Sequence, residues 1–293
     1  MRHIDEDTIT QAVIARHAGA ADARLREVMT SLVQHLHAFA RDVKLTEAEW
    51  REGIRFLDDT GRIGDPTRQE LMLLSDTLGL SMLVTALNHR KPKGCTEATT
   101  AGPFHVEGAP QVGAGGDIGQ GAPGEPFFVR GRVRLLDGRP VAGAEVQVWH
   151  ADAEGRYDLQ YGGDHGPRAR AVLGSGADGR FHFRSVLPEP HTISHDGPVG
   201  RLLQALGRHP WRPAHMHFVI TAPGCERLVT QVFRAGGAHL DTDAVFGVRR
   251  SLVADWVRHE PGVRPDGVTS AVPFHTLDFE FVLNPAGPGG PRP

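Results

Sequence analysis

The sequence predicts an α+β chain, a helical N-terminal segment followed by an antiparallel β-sandwich. Three observations predict it. Over roughly the first 90 residues apolar side chains recur at three- and four-residue spacing, the period of an amphipathic helix. From Phe127 onward they alternate with polar residues in short runs, the period of a half-buried strand. Between the two lies a Gly- and Pro-rich stretch, Lys91 to Pro126, that carries neither period and reads as a long ordered connection.

Taken in order, Leu25, Val28, Met29, Leu32, Leu36, Phe39, Ala40 and Val43 form one apolar stripe and predict a long helix. Thr46-x-x-Glu49 and Thr67-x-x-Glu70 are capping boxes, in which hydroxyl and carboxylate satisfy each other's backbone N–H groups. Each opens a further periodic run, through Trp50, Ile54 and Leu57 and through Leu71, Leu74 and Leu78, with Gly61 expected to stop the middle helix. Phe127 to Leu136, Asp137-Gly138 with Pro140, and Ala144 to His150 read as strand, turn, strand. Ala177-Asp178-Gly179 turns the chain into a strand with Phe181 and Phe183, and His215–Thr221, Leu228–Phe233 and Leu277–Leu283 alternate. Helical signal returns at Val199–Leu206 and Arg249–Trp256, and the Gly/Pro-rich tail Pro285–Pro293 is expected to be mobile. The expected domains are residues 1–100, with the connection running to about 126, and residues 101–293.

Composition narrows the function. The 293 residues are 40% apolar, enough for a sizeable core. Lys+Arg 32 against Asp+Glu 35 gives a net charge of −3, which argues against nucleic acid or an anionic membrane as partner. No apolar run approaches the ~18 residues of a membrane span, and the acidic start, Asp5-Glu6-Asp7, does not read as a signal peptide. Two cysteines, Cys95 and Cys225, cannot supply a disulfide framework, so a reducing cytoplasmic setting is expected. Seventeen histidines stand beside only two tyrosines.

Three segments carry chemistry. In Arg212-Pro213-Ala214-His215-Met216-His217-Phe218 the two imidazoles share one strand face, because side chains alternate with period two. They suit two ligands of one metal, although a His-rich chain also offers such pairs on its surface. Val148-Trp149-His150-Ala151-Asp152-Ala153-Glu154-Gly155-Arg156-Tyr157-Asp158 ends a strand in a polar turn and presents one tyrosine, which on its own reads equally as a ring packed over the sandwich edge. In Leu187-Pro188-Glu189-Pro190-His191-Thr192-Ile193-Ser194-His195-Asp196 the prolines force an extended loop, from which either histidine can turn inward or both can face solvent.

Together these segments resemble the intradiol ring-cleavage dioxygenases, from about Ala12 to Leu283. The most specific parts are Arg-Pro-Ala-His-x-His at 212–217, Gly155-x-Tyr157-Asp158, Asp196-Gly197-Pro198-Val199-Gly200 and Gly207-Arg208-His209-Pro210-Trp211-Arg212. Asp241-x-Asp243-Ala244-Val245-Phe246-Gly247-Val248 points to the branch that cleaves hydroxyquinol. Leu73-Leu74-Ser75-Asp76-Thr77-Leu78-Gly79 and Ala86-Leu87-Asn88-His89-Arg90-Lys91-Pro92 match in the helical part.

The resemblance implies a dimerising helical domain with a phospholipid at the dimer interface, and a β-sandwich that holds one mononuclear non-haem ferric ion, Fe(3+). It implies Tyr157, His215 and His217 as metal ligands, Arg212 as the residue that stabilises charge on the bound substrate, and Gln231 beside it. It also implies a substrate pocket of Leu73, Asp76, Thr100, Ala101, Gly102, Pro103, Ile193 and Val245, for a small aromatic diol or triol that reacts with O2. The expected substrate is hydroxyquinol (benzene-1,2,4-triol), with Asp76 expected to hydrogen-bond its third hydroxyl, and the product a maleylacetate or hydroxymuconate-type diacid.

The chain departs from the family at one ligand. Where the family has Pro-x-Pro-Tyr it has Pro188-Glu189-Pro190-His191, so His191 takes the place of the second tyrosine. Imidazole is neutral and borderline where phenolate is anionic and hard, so Fe(II), Cu or Zn become candidates beside Fe(3+). A diverged enzyme acting on a modified phenol such as an aminophenol, and a non-catalytic descendant that binds aromatics or lipid, are the alternatives.

Overall fold

The Asp22 carboxylate accepts the backbone N–H groups of Arg24 (2.8 Å) and Leu25 (3.0 Å), and so starts a helix where the apolar stripe begins. The computed structural model describes residues 4–65, 68–162 and 165–287 and divides the chain into two units, Met1–Arg62 and Ile63–Pro293. The first unit holds α1 (Ile9–Arg16), α2 (Ala23–Asp42) and α3 (Glu47–Arg62). The first capping box forms as expected: the Glu49 carboxylate accepts the Thr46 N–H at 2.8 Å, and the Glu49 N–H donates to the Thr46 hydroxyl at 3.3 Å. Gly61 does not end α3, which runs on to Arg62. Its helical cost of about 1 kcal/mol falls in the last turn, where the Arg62–Asp58 pair at 2.7 Å supports the helix. Leu25, Val28, Leu32, Leu36, Phe39 and Val43 stand exposed along α2 and its end.

The second unit begins with α4 (Glu70–Thr77) and α5 (Leu80–Asn88). The box expected at Thr67 lies outside the described residues, as does the tail beyond residue 287. Strands follow in the order β1 (Pro126–Leu135), β2 (Glu145–His150), β3 (Arg170–Gly174), β4 (Arg180–Val186) and β5 (His191–Thr192). After α6 (Pro198–Ala205) come β6 (Trp211–Arg212), β7 (His215–Thr221), β8 (Leu228–Arg234), β9 (Val253–Ala254), β10 (Val257–His259), β11 (Gly262–Val263), β12 (Thr269–Ser270) and β13 (Phe274–Leu283).

A four-stranded sheet, β10-β13-β1-β4, and a five-stranded sheet, β3-β2-β7-β8-β9, give their inner faces to one core. Phe127, Val129, Phe181, Phe183 and Phe281 come from the first sheet and Val146, Val148, Met216, Phe218 and Ile220 from the second. The pairing is antiparallel except where β13 runs parallel to β1 and β9 to β8.

Two local expectations change. The turn at Asp137-Gly138 forms, with the Gly138 N–H donating to the Leu135 carbonyl at 3.0 Å. The strands on either side of it do not pair, however: β1 and β2 enter opposite sheets, so the segment arches across the sandwich. Arg249–Trp256 is helical only over Arg250–Leu252. Val253 and Ala254 instead extend the sheet beside Phe233 and Arg234, because pairing to an existing edge outweighs local helix propensity. Among the described residues no single helix is long and apolar enough to cross a membrane.

Candidate metal centre

Strand β7 is buried on both faces, so its alternation is one of function rather than polarity. Met216, Phe218 and Ile220 point into the sandwich, while His215, His217 and Val219 share the opposite face. Register sets Trp149 of β2 and Gln231 of β8 on either side of His217. The Trp149 and His217 rings stack, 4.8 Å apart and 6° from parallel. The His215 Nδ1 lies 2.7 Å from the Pro213 carbonyl, which only accepts, so Nδ1 carries the proton and Nε2 presents a bare lone pair.

Tyr157 reaches the same point from the loop after β2. Its N–H donates to the Gln160 side-chain carbonyl at 2.9 Å, and its ring stacks on Phe104 at 4.3 Å. The next residue, Asp158, is buried against Arg170, whose Nη1 also donates to the Phe104 carbonyl at 2.9 Å, so loop and stacking partner are tied to one cation.

Three donor atoms converge. The His215 and His217 Nε2 atoms are 3.0 Å apart, the Tyr157 hydroxyl is 3.1 Å from His217 Nε2, and it is 3.4 Å from His215 Nε2. Ligands about 2.0–2.1 Å from a shared ion stand about 2.8–3.4 Å apart at right-angled to tetrahedral geometry, so this triangle fits one metal ion. Burial favours neutral donors: it holds both imidazoles well below their ordinary pKa, with the Arg212 charge adding to the effect, and it pushes the Tyr157 phenol up. A cation held there would make that phenol an anion.

His191 stands beside the triangle. Its ring meets Tyr157 edge-on at 5.3 Å and lies 5.1 Å from the His215 ring, and its Nδ1 is buried without a hydrogen-bond partner. Burial drops its pKa to about 3, so it too is neutral. Among the described residues no three His, Cys, Asp or Glu side chains form a metal cage by themselves; the converging set is two imidazoles and a phenol. Gly155 (φ +71°) fixes the spacing between the two loops, because a Cβ there would lie 2.9 Å from the Pro190 carbonyl oxygen and 3.1 Å from the His191 Cβ. Tyr161 stays outside, donating to the Asp152 carboxylate at 2.6 Å.

Arg212 faces the triangle from β6, whose register pairs it with His191. Its Nη1 donates to His215 Nε2 at 3.1 Å and its Nη2 to the Gln231 side-chain oxygen at 2.9 Å; Gln231 in turn donates to the Thr100 carbonyl at 3.0 Å. Burial opposes the guanidinium charge, but Asp243 more than restores it and the Arg212 pKa is raised. Asp243 is a site residue that sequence reasoning quoted only as part of a branch signature. Trp149 and Phe104, which hold the ligand rings, were assigned no role either.

The expected pocket residues divide. Thr100, Ala101 and Gly102 border the triangle: Ala101 packs with Trp149 and Tyr157, and a Cβ on Gly102 would lie 3.3 Å from the His217 ring. Val245 is buried two residues from Asp243, and Ile193 follows His191 with its N–H on the Pro210 carbonyl at 2.9 Å. Asp76 on α4 is within electrostatic reach of Arg212 and Asp243, and burial raises its pKa. Leu73 is half-buried on the same helix and Pro103 is exposed.

Comparison with known proteins places this arrangement. A family model described as Catechol dioxygenase N terminus matches residues 22–96, and one described as Dioxygenase matches residues 101–285. The chain belongs to the intradiol ring-cleavage dioxygenases. It is 58% identical to a 6-chlorohydroxyquinol 1,2-dioxygenase of Cupriavidus pinatubonensis, covering 97% of this chain and 99% of that protein. It is 48% identical to a hydroxyquinol 1,2-dioxygenase of Nocardioides simplex, covering 96% of each. The crystal structure of hydroxyquinol 1,2-dioxygenase from Pseudomonas putida DLL-E4 superposes with a TM-score of 0.89 at 42% identity, over 96% of this chain and 98% of that one.

Proposed function

We propose that the protein is a hydroxyquinol 1,2-dioxygenase, which opens benzene-1,2,4-triol or a ring-chlorinated triol between its adjacent hydroxyl-bearing carbons. One O2 is consumed, one oxygen atom enters each new carboxyl group, and the product is a hydroxymuconate-type diacid, the tautomer of maleylacetate. The observation that carries this reading is the triangle of Tyr157, His215 and His217 donors, 3.0–3.4 Å apart, with Arg212 aimed at it.

In this reading Tyr157, His215 and His217 hold one ferric ion, with His191 as the fourth protein ligand. Such an ion supplies the redox-active Lewis acid that lets an aromatic diol react with O2. The rest belongs to the chain. Arg212 places a fixed positive charge where negative charge builds on the substrate ring, and Gln231 holds its Nη2. The carbonyl of Thr100 anchors Gln231, while Gly102 lets the backbone pack closely on the His217 ring. Asp76, on α4 within electrostatic reach of Arg212, is the carboxylate that takes the third hydroxyl. Phe104 and Trp149 keep water from the flanks of the ligand rings.

Residues 1–100 serve as the dimerisation domain, and the exposed stripe along α2 supports a homodimer with phospholipid at its interface. Oxygen uptake by iron-loaded protein tests the function. Rapid, stoichiometric O2 consumption with benzene-1,2,4-triol and slow consumption with catechol is expected. No uptake with either sinks the reading, and equal rates remove the case for Asp76 as the selector.

A further inference from the structure

We infer that Asp243 is a positioning residue for this reaction, whose carboxylate aims Arg212 so that one amino group alone faces the donor triangle. The inference rests on the dioxygenase reading above. Arg212 has five N–H donors. Its Nε donates to Asp243 Oδ1 at 3.0 Å; its Nη2 donates to Asp243 Oδ2 at 3.2 Å and to the Gln231 oxygen at 2.9 Å. Three of the five are thus committed to one side, and only Nη1 points to the centre, 3.1 Å from His215 Nε2.

Asp243 is itself fixed. It is buried, and its Oδ2 accepts the Gly247 N–H at 2.8 Å while its Oδ1 is 3.4 Å from the Val245 N–H. The 243–247 segment therefore wraps the guanidinium with no slack: a Cβ on Gly247 would lie 2.8 Å from Arg212 Nη2, 3.1 Å from Asp243 Oδ2 and 3.3 Å from the Gln231 oxygen. The same segment carries Val245, so the wall of the pocket and the aim of the arginine are set by one carboxylate. Asp243 acts through Arg212, on which two of its hydrogen bonds fall.

The test is a double-mutant cycle with benzene-1,2,4-triol on the iron-loaded full chain: parent, Asp243→Asn, Arg212→Lys and the double variant. Asp243→Asn should lower kcat by about 100-fold with KM within about threefold, because a misaimed charge is lost chiefly as charge develops. In the Arg212→Lys background the same substitution should cost less than about threefold more, since the group it aims is gone. Losses that simply multiply would overturn the inference. A crystal structure of Asp243→Asn gives a readout independent of turnover: Nη1 should leave His215 by more than about 1 Å, and an unmoved Arg212 refutes the role. An inactive parent would count against the dioxygenase reading, and the crystal structure would still decide on Asp243. Should Asp243→Asn not fold, Gly247→Ala displaces Nη2 with the charge kept, and the same loss weighted to kcat is expected; full activity in that variant overturns the inference.

Discussion

Acid should loosen the sandwich through His150. This imidazole ends β2, is fully buried, and ties the two sheets together: its Nδ1 donates to the Ala151 carbonyl at 2.6 Å, and its Nε2 is 2.7 Å from the Ser185 hydroxyl on β4. Burial holds its pKa down to about 4 from 6.5, a shift that the Ala151 carbonyl, Asp152 and Asp158 partly oppose and Arg170 reinforces. A histidine depressed in the folded state binds more protons unfolded. Its stabilising effect is therefore complete above 6.5 and is lost as pH falls from there toward 4. At about 1.4 kcal/mol per pH unit over that window, moving from about pH 7 to about pH 5 should cost about 2 kcal/mol from this group alone. Urea unfolding followed by circular dichroism, on parent and on His150→Asn at both pH values, isolates it, because every other titrating group is shared. The variant should start less stable and lose about 2 kcal/mol less on acidification. Parallel losses in the two proteins would show that His150 does not titrate in this window and would refute the argument from burial.

Other expectations follow from the centre itself. His215→Ala and His217→Ala should each lower iron content about tenfold or more by elemental analysis while circular dichroism is retained, since both side chains point away from the sandwich core. Arg212→Lys should lower kcat by about 100-fold with little change in KM, because a point charge cannot pair with both Asp243 and Gln231 and still face the donor triangle; steady-state oxygen uptake distinguishes this from a binding defect. Light scattering should return about twice the 31.8 kDa chain mass, and a mass near 32 kDa would remove the dimer.

Much of the chain was legible because its signals are local. The Thr46 box and the stripe of α2 are short-range chemistry and appear where the sequence puts them. The shared face of His215 and His217 follows from the strand period alone. Non-local pairing was the blind spot. Nothing in the residues around Asp137-Gly138 says that β1 and β2 part into opposite sheets, and nothing in 249–256 says that Val253 finds an edge beside Phe233. Burial of β7 on both faces is likewise invisible to a rule that equates alternation with a solvent side. Asp243 was hidden for the same reason: it lies 31 residues from Arg212, and only the fold turns it into the arginine's counter-charge.

The most particular feature of this chain is His191, and its role is open to a direct test. Its strand is held in register with Arg212 and Gly155 packs against its Cβ, so the backbone that carries its ring is fixed beside the Tyr157 loop. The ring is neutral and its Nδ1 has no protein partner, which suits a lone-pair donor waiting for a cation. If it ligates, the centre has one phenolate, a unit less negative charge than two phenolates would give, and a weaker hold on ferric iron. His191→Tyr should then deepen the phenolate-to-iron absorption band and raise ferric affinity, whereas His191→Ala should lower iron content. Activity need not rise in the tyrosine variant, because Pro190 and Gly155 leave its loop packed around an imidazole. A spectrum unchanged by His191→Tyr, together with iron content unchanged by His191→Ala, would restrict the protein ligands to Tyr157, His215 and His217 and make His191 part of the wall.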